Sequence, residues 1–555
     1  MTINEALLAE DVIGPAAVVI DGCQLTLKDI ASVARGGAPA ILTTNATVRS
    51  RIDRTRRHLS ELVERGTPVY GVTTGFGDSV HCHIDSNNAA LHQERLIAFL
   101  GNGTGASLPE PTARAVTLIR ANNLARGYSG VRIELIERLL ELLNAGITPV
   151  IPEEGSVGAS GDLVPLSYVA AVVTGRRKVR FRGRIVDAAD ALAKTGLEPL
   201  VLQEKEGLGL VNGTAYMTAI AALACLDADR LAHLADVCTA MTVEVLGAIT
   251  TPFHPFLHDV TKPHPGQIRS AANIRGLLTG SRMGRAYEDV IAEITSKGVQ
   301  NGAKPRQTTA QIQDKYSIRC APHFTGVLFD VLAWATQWVE TEVNASTDNP
   351  LLDPTSGEVF SGGNFSGGHI ALAMDTLKAA VSSVADLLDR QLALVVDEKF
   401  NRGLGPNLIP ACPEDHPEYG LNHGFKGMQL ACSSLTADAL SRGMPLSAFS
   451  RSTECHNQDK VSMGATAARQ ARDVIEIVER VAAIHLLALC QAADLRGAHQ
   501  LGRTAAIYAK IRAKVPFVDR DRAMDQDIIT VVDMIRNDTL LGPVGQGIDP
   551  AEAWR

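Results

Sequence analysis

Apolar residues recur at helical spacing over most of this chain, often in long runs. Leu91 to Leu100, Glu110 to Ala125 and Val131 to Ala145 carry apolar positions three and four apart, and the last two close near Gly127 and Gly146. Longer Ala- and Leu-rich runs follow: Asn212 to Thr250, Ala321 to Asn344, Gly368 to Val396, Gly424 to Arg442 and Ser462 to Ala493. Several exceed the usual globular length, which predicts a bundle whose helices are buried nearly all round. The N-terminal stretch is mixed. Ala17 to Ile20 and Gln24 to Leu27 read as short β runs, Val48 to Arg65 as a basic helix, and "KVRFRGRIVDAADALAK" from Lys178 as a hairpin followed by a helix. The pattern divides the chain into a mixed part over 1–210, a central long-helix bundle over 211–500 and shorter C-terminal helices over 501–555. No sequence repeat or Pro/Ser-rich linker interrupts it, and the fold class is mainly α.

Composition narrows the function. The 555 residues are 45% hydrophobic and 21% charged, which is ordinary for a protein with a large core. A net charge of -8 without basic runs argues against nucleic acid or an anionic membrane surface as partner. The nine cysteines are odd in number and form no C-x-x-C pair, which fits reduced thiols in a cytoplasmic, soluble protein. The N-terminus lacks the basic region of a signal peptide, and apolar windows such as Val481 to Ala493 are too short to span a bilayer. No metal is expected. His254 and His258 have i,i+4 spacing, but Pro255 interrupts them and neither His264 nor another residue completes a convincing set. His81-Cys82-His83 would point successive side chains to different sides if extended.

One short run raises a chemical question. In "EEGSVGASGDLVPLSYVAAVVTG", Gly158-Ala159-Ser160-Gly161 precedes Asp162, a candidate N-cap, and an apolar helical stretch that tolerates Pro165 in its first turn. The run reads as a tight loop opening on a helix N-terminus, where negative charge is favoured. By itself an Ala-Ser-Gly triplet means little, since chance supplies one in roughly a fifth of chains this long.

Its company means more. "YGVTTGFG" (Tyr70 to Gly77), "GSVGASGDLVPLSY" (Gly155 to Tyr168), "KEGLGLVNGT" (Lys205 to Thr214), "KPHPGQ" (Lys262 to Gln267), "QDKYSIRCAP" (Gln313 to Pro322), "STDNP" (Ser346 to Pro350), "GGNFSGG" (Gly362 to Gly368) and "HNQDKVSMG" (His456 to Gly464) occur in order over most of the chain. Together they resemble the aromatic amino acid ammonia-lyase and aminomutase family, which includes histidine, phenylalanine and tyrosine ammonia-lyases. The resemblance implies a fumarase/aspartase-like helical homotetramer with active sites drawn from three subunits and no external cofactor. It implies that Ala159, Ser160 and Gly161 cyclise into an electrophile, 4-methylideneimidazole-5-one (MIO).

Singly, the other site candidates read as structural residues, and the ensemble gives them roles. Tyr70 matches the family's base, and since a phenol titrates near ~10 the site must lower that value. Arg319 suits a substrate carboxylate, with Tyr316 on the same face if the segment is helical. Asn212, Gln313 and Asn349 match positions that hold the MIO oxygen, the substrate or their neighbours, and Phe365 one that packs against the MIO ring. Phe99-Leu100 is the phenylalanine-type pair beside the substrate ring, and Gln458 stands where histidine-type members carry Glu. Ser366 stands where relatives often carry His or Gln, and the lid segment Asp78 to His81 fits no subgroup. The expected reaction removes ammonia from L-phenylalanine, or a related aromatic L-amino acid, to give trans-cinnamate. The alternatives are an aromatic 2,3-aminomutase or a tyrosine or histidine ammonia-lyase on the same residues. "GSRMGRA" (Gly280 to Ala286) is only a faint match to a fumarase-type signature, and the intact triplet, Tyr70 and Arg319 argue against a non-enzymatic scaffold.

Overall fold

The computed structural model describes residues 16–297 and 311–541. Helices dominate it, and the long periodic runs all fold as helices: Ala89–Phe99, Glu110–Ala125, Ile133–Asn144, Ala215–Leu246, Pro322–Val343, Gly368–Val396, Lys426–Ser441 and Gly464–Arg496. Among the described residues no helix is long and apolar enough to cross a membrane.

The chain forms two compact units, each assembled from separate segments. The first comprises Met1–Ala224, Thr336–Asp375 and Pro445–Arg469, the second Cys225–Ala335, Thr376–Met444 and Gln470–Arg555. Four of the five boundaries fall inside the long helices Ala215–Leu246, Pro322–Val343, Gly368–Val396 and Gly464–Arg496, and the fifth, at Met444 and Pro445, follows Lys426–Ser441.

The first unit holds the small sheets. Val18–Ile20 pairs in parallel with Ala40–Leu42, Val18 facing Ala40. Lys178–Phe181 and Arg184–Asp187 form the expected hairpin, Thr148–Pro149 adds a third strand, and the helix Ala188–Thr195 follows. Gln24 to Leu27 is not a strand. Thr26 instead caps the helix Leu27–Ala34, its hydroxyl accepting from the Asp29 amide while the Asp29 carboxylate accepts from the Thr26 amide. This reciprocal cap outweighs the weak β preference of so short a run. Glu110–Ala125 packs between Leu27–Ala34 and Ile133–Asn144 and is buried on nearly every side. Beneath the glycine-rich loop, Val69 and Val72 are buried with Leu59, Val63 and Leu352, which anchors both flanks of Tyr70.

In the second unit the helical segments bury Ala and Leu together with polar pairs. Asp236, for example, accepts from Ser270 Oγ at 2.5 Å and from Asn273 Nδ2 at 2.9 Å.

Candidate functional site

The Ala159-Ser160-Gly161 triplet sits in a loop before the helix Leu163–Val173, as its small residues and the following apolar run predict. Gly161 has φ +73° and runs beside Gly213. The Asp162 amide donates to the Gly213 carbonyl at 2.7 Å, and the Gly213 amide donates to the Ser160 carbonyl at 3.3 Å. A Cβ on Gly161 would overlap the Gly213 carbonyl, so only glycine fits.

Asp162 occupies the N-cap position, but its side chain does not cap the helix. Its carboxylate instead accepts from Ser156 Oγ at 2.8 Å and from the Met217 amide at 2.9 Å. Full burial pushes its pKa up to about 7, against the pull of those donors. Asp162 therefore ties the triplet loop to the start of Ala215–Leu246.

Ser160 collects three donors. Its carbonyl takes the Gly213 amide and, at 2.8 Å, Asn212 Nδ2. Its hydroxyl takes Gln458 Nε2 at 3.1 Å. Asn212 is itself oriented, because its Oδ1 accepts from the Asn349 amide at 2.7 Å while Asn349 Oδ1 accepts from the Gly362 amide at 2.7 Å.

A cavity of about 870 Å³ opens over the triplet. Tyr70, Phe99, Leu100, Asn212, Asn349, Phe365 and Gln458 all line it, so the first unit gathers these candidates in one place. Leu100 is buried, whereas Phe99 is 57% exposed. Phe76, in the glycine-rich loop, stacks on His92 with ring centres 4.1 Å apart.

Tyr70 is half-buried, and its hydroxyl oxygen accepts from the Gly77 amide at 2.9 Å. Its pKa is raised rather than lowered. Burial is the main cause and the Glu454 carboxylate adds to it, with the Gly77 hydrogen bond pulling the other way. Glu454 accepts from the Asp78 amide at 2.8 Å and from Asn457 Nδ2 at 2.7 Å, which joins the lid segment to the turn Thr453–Gln458. Sequence reasoning missed Glu454, Gly213 and the rotation of Asp162. Glu454 lies two residues before "HNQD", and that closeness was the available signal.

Gln313, Tyr316 and Arg319 belong to the second unit and do not line this cavity. Tyr316–Arg319 is a helical turn, so the condition for a shared face is met, and the Arg319 guanidinium lies 4.5 Å from the Tyr316 ring centre. Tyr316 is 69% exposed. Among the histidines weighed as metal ligands, His258 is buried with Nε2 against the Pro252 carbonyl at 2.8 Å and Nδ1 against Gln267 Nε2 at 2.9 Å. Those partners leave neither ring nitrogen open.

The fold is that of a helical carbon–nitrogen lyase, as similar proteins establish. Residues 25–513 match the aromatic amino acid lyase family. A tyrosine ammonia-lyase from Cupriavidus metallidurans is 40% identical over 539 residues, covering 96% of this chain and 98% of the relative. A histidine ammonia-lyase from Streptococcus sanguinis is 37% identical over 535 residues, again covering 96% and 98%. The crystal structure of a tyrosine aminomutase from Streptomyces globisporus superposes with a TM-score of 0.90 at 35% identity, covering 96% of this chain and 99% of that one. The chain belongs to the aromatic amino acid ammonia-lyase and aminomutase family.

Proposed function

We propose that this protein is an aromatic amino acid ammonia-lyase that converts L-phenylalanine, or a close aromatic relative, to trans-cinnamate and ammonia. One observation carries the reading. A single cavity is lined by the small-residue triplet, by Tyr70 and by the apolar Phe99, Leu100 and Phe365.

The loop suits an MIO group. Cyclisation joins the Gly161 nitrogen to the Ala159 carbonyl carbon and releases two waters, one with the Ala159 oxygen and one with the Ser160 hydroxyl. Gly161 is already pinched against Gly213 where no Cβ fits, and Gln458 donates to the hydroxyl that would leave. The group supplies an electrophile for the substrate amine, which is otherwise a poor leaving group. Asn212 and Gly213 hold the Ser160 oxygen, where negative charge is best stabilised by preset donors. Tyr70 takes the β-proton, and Gly77 steadies its oxygen. Phe99, Leu100 and Phe365 enclose the ring and offer it no polar partner.

Arg319 is assigned to the substrate carboxylate, with Tyr316 and Gln313 beside it, through the segment of another copy in a homotetramer. Positive charge delivered that way also answers the raised pKa of Tyr70. No metal or external cofactor enters the scheme.

A second reading, an aromatic 2,3-aminomutase, is favoured by the likeness to the tyrosine aminomutase structure. Incubating the protein with phenylalanine, tyrosine and histidine separates the two. Free ammonia and cinnamate, with the highest kcat/KM on phenylalanine, is the expected result. Accumulation of β-phenylalanine would identify the mutase. No product from any aromatic amino acid would sink both readings.

A further inference from the structure

Arg120 is an anomaly in the helix Glu110–Ala125, a guanidinium with no exposure to solvent. Its Nε donates to the Gly209 carbonyl at 2.8 Å, Nη2 donates to the same oxygen, and Nη1 reaches Thr347 Oγ1 at 3.3 Å. Gly209 lies in the helix Glu206–Val211, which leads straight into Asn212 and Gly213. The guanidinium also backs Gly213, where a Cβ would meet both Arg120 Nη1 and Thr347 Oγ1. It thus grips the start and the end of the turn that presents the Asn212 and Gly213 donors to Ser160.

The charges around it do not balance. Lys205, equally buried, pairs with Asp348 at 2.7 Å, and Ser129 Oγ occupies the other Asp348 oxygen at 2.8 Å. The Asp348 carboxylate raises the Arg120 pKa against burial, and the Arg120 charge in turn lowers that of Lys205. Two buried cations therefore share one carboxylate. An uncompensated buried cation is costly, and a neutral donor could have held the Gly209 carbonyl. Three consecutive residues connect this cluster to the site. Thr347 meets Arg120, Asp348 meets Lys205, and the Asn349 amide orients Asn212 at 2.7 Å.

We propose that Arg120 is a positioning residue of the reaction inferred above: it fixes the Gly209–Gly213 turn and keeps one unmatched positive charge behind the donors to the Ser160 carbonyl oxygen, ready for negative charge arising there. The inference rests on the reading of the triplet as an electrophile precursor. Arginine suits the role because it holds its proton in a dry site, and burial lowers its pKa only to about 10. A fixed charge behind preset donors acts strongly where water is excluded.

The test compares wild type with Arg120→Gln, which keeps a donor but loses the charge, and Arg120→Lys, which keeps the charge but loses the fork. Intact mass, thermal melting, kcat and KM are measured on each. Wild type should be lighter by two waters and active. Arg120→Gln should melt cooperatively but lose about 100-fold in kcat with KM within about threefold, and Arg120→Lys should recover about tenfold of the loss. A folded Arg120→Gln with wild-type kcat and full dehydration overturns the proposal, as does an Arg120→Lys no faster than Arg120→Gln. If Arg120→Gln does not fold, Lys205→Gln alone, with net charge zero, is compared with Lys205→Gln/Asp348→Asn, which restores the unmatched charge. The double variant should be the faster, and a double variant no faster than the single overturns the charge argument. Wild type at full mass and without turnover fails the functional reading itself, and this inference with it.

Discussion

At the level of single residues, Tyr70 poses the sharpest electrostatic problem. A base at neutral pH needs an accessible phenolate, yet burial and the Glu454 carboxylate both raise its pKa. Replacing Glu454 by Gln removes a negative charge that opposes ionisation. The Tyr70 pKa should then fall, and the alkaline-rising limb of kcat/KM should move to lower pH. Tyr70→Phe, which keeps the ring, should lose that limb and about two orders of magnitude in turnover while still losing two waters. An unmoved limb in Glu454→Gln would mean that another group titrates. Phe99 bears on selectivity in a different way. A para-hydroxyl buried against Phe99 and Leu100 without a partner costs about 1–3 kcal/mol, which favours phenylalanine by roughly fivefold to 150-fold. Phe99→His should shift the ratio of specificity constants towards tyrosine, and an unchanged ratio removes Phe99 from the ring pocket. Most of the gathered residues of the first unit were legible because they sit inside contiguous motifs, and Phe99-Leu100 as a pair that matches one family subgroup. Arg120 and the rotated Asp162 were not, since an arginine on a helix and an aspartate before one look ordinary until their burial is known.

Among elements, hydrophobic periodicity located the long helices to within a few residues, because a buried helix needs apolar positions at a fixed spacing. It failed at Gln24 to Leu27, where two hydrogen bonds at Thr26 and Asp29 decide the structure rather than any pattern. The triplet loop is an intermediate case. Its small residues announced a close approach, but the partner, Gly213, lies 52 residues away from Gly161, measured from Ser160 to its donor Asn212 as the same span. Local sequence does not encode that meeting. Gly161→Ala tests it directly, since alanine adds a Cβ where the chain has φ +73° and the Gly213 carbonyl stands. The variant should keep its full unmodified mass and lose measurable turnover, with melting lowered by the strain. Two-water loss in a folded Gly161→Ala protein would show that the pinch against Gly213 is not what the cyclisation requires.

For the whole molecule, the grouping of segments into units depends on contacts far apart in the chain, such as the Leu25 amide on Asn344 Oδ1, and no periodicity reports those. Buried titratable groups then set how stability follows pH. In the second unit Asp236 has its pKa pushed up to about 7 by burial, from 3.8. The folded state keeps a proton that the unfolded chain gives up, so its contribution is full below about pH 4 and is lost as pH rises through 7. His485 acts in the reverse sense. It is fully buried, its Nε2 meets Thr242 Oγ1 at 3.3 Å, its Nδ1 has no partner, and its pKa falls from 6.5 to about 3. Its contribution is present above pH 6.5 and is lost as pH falls towards 3. The two groups oppose each other between about pH 4 and 6.5, which flattens the wild-type profile there. Asp236→Asn should gain on wild type in melting temperature, by a few degrees, as pH rises from 5 to 8. His485→Gln should gain on wild type as pH falls from 7 to 4. Melting curves of the three proteins across this range decide the matter: differences that stay constant with pH would mean that neither group changes its protonation on unfolding.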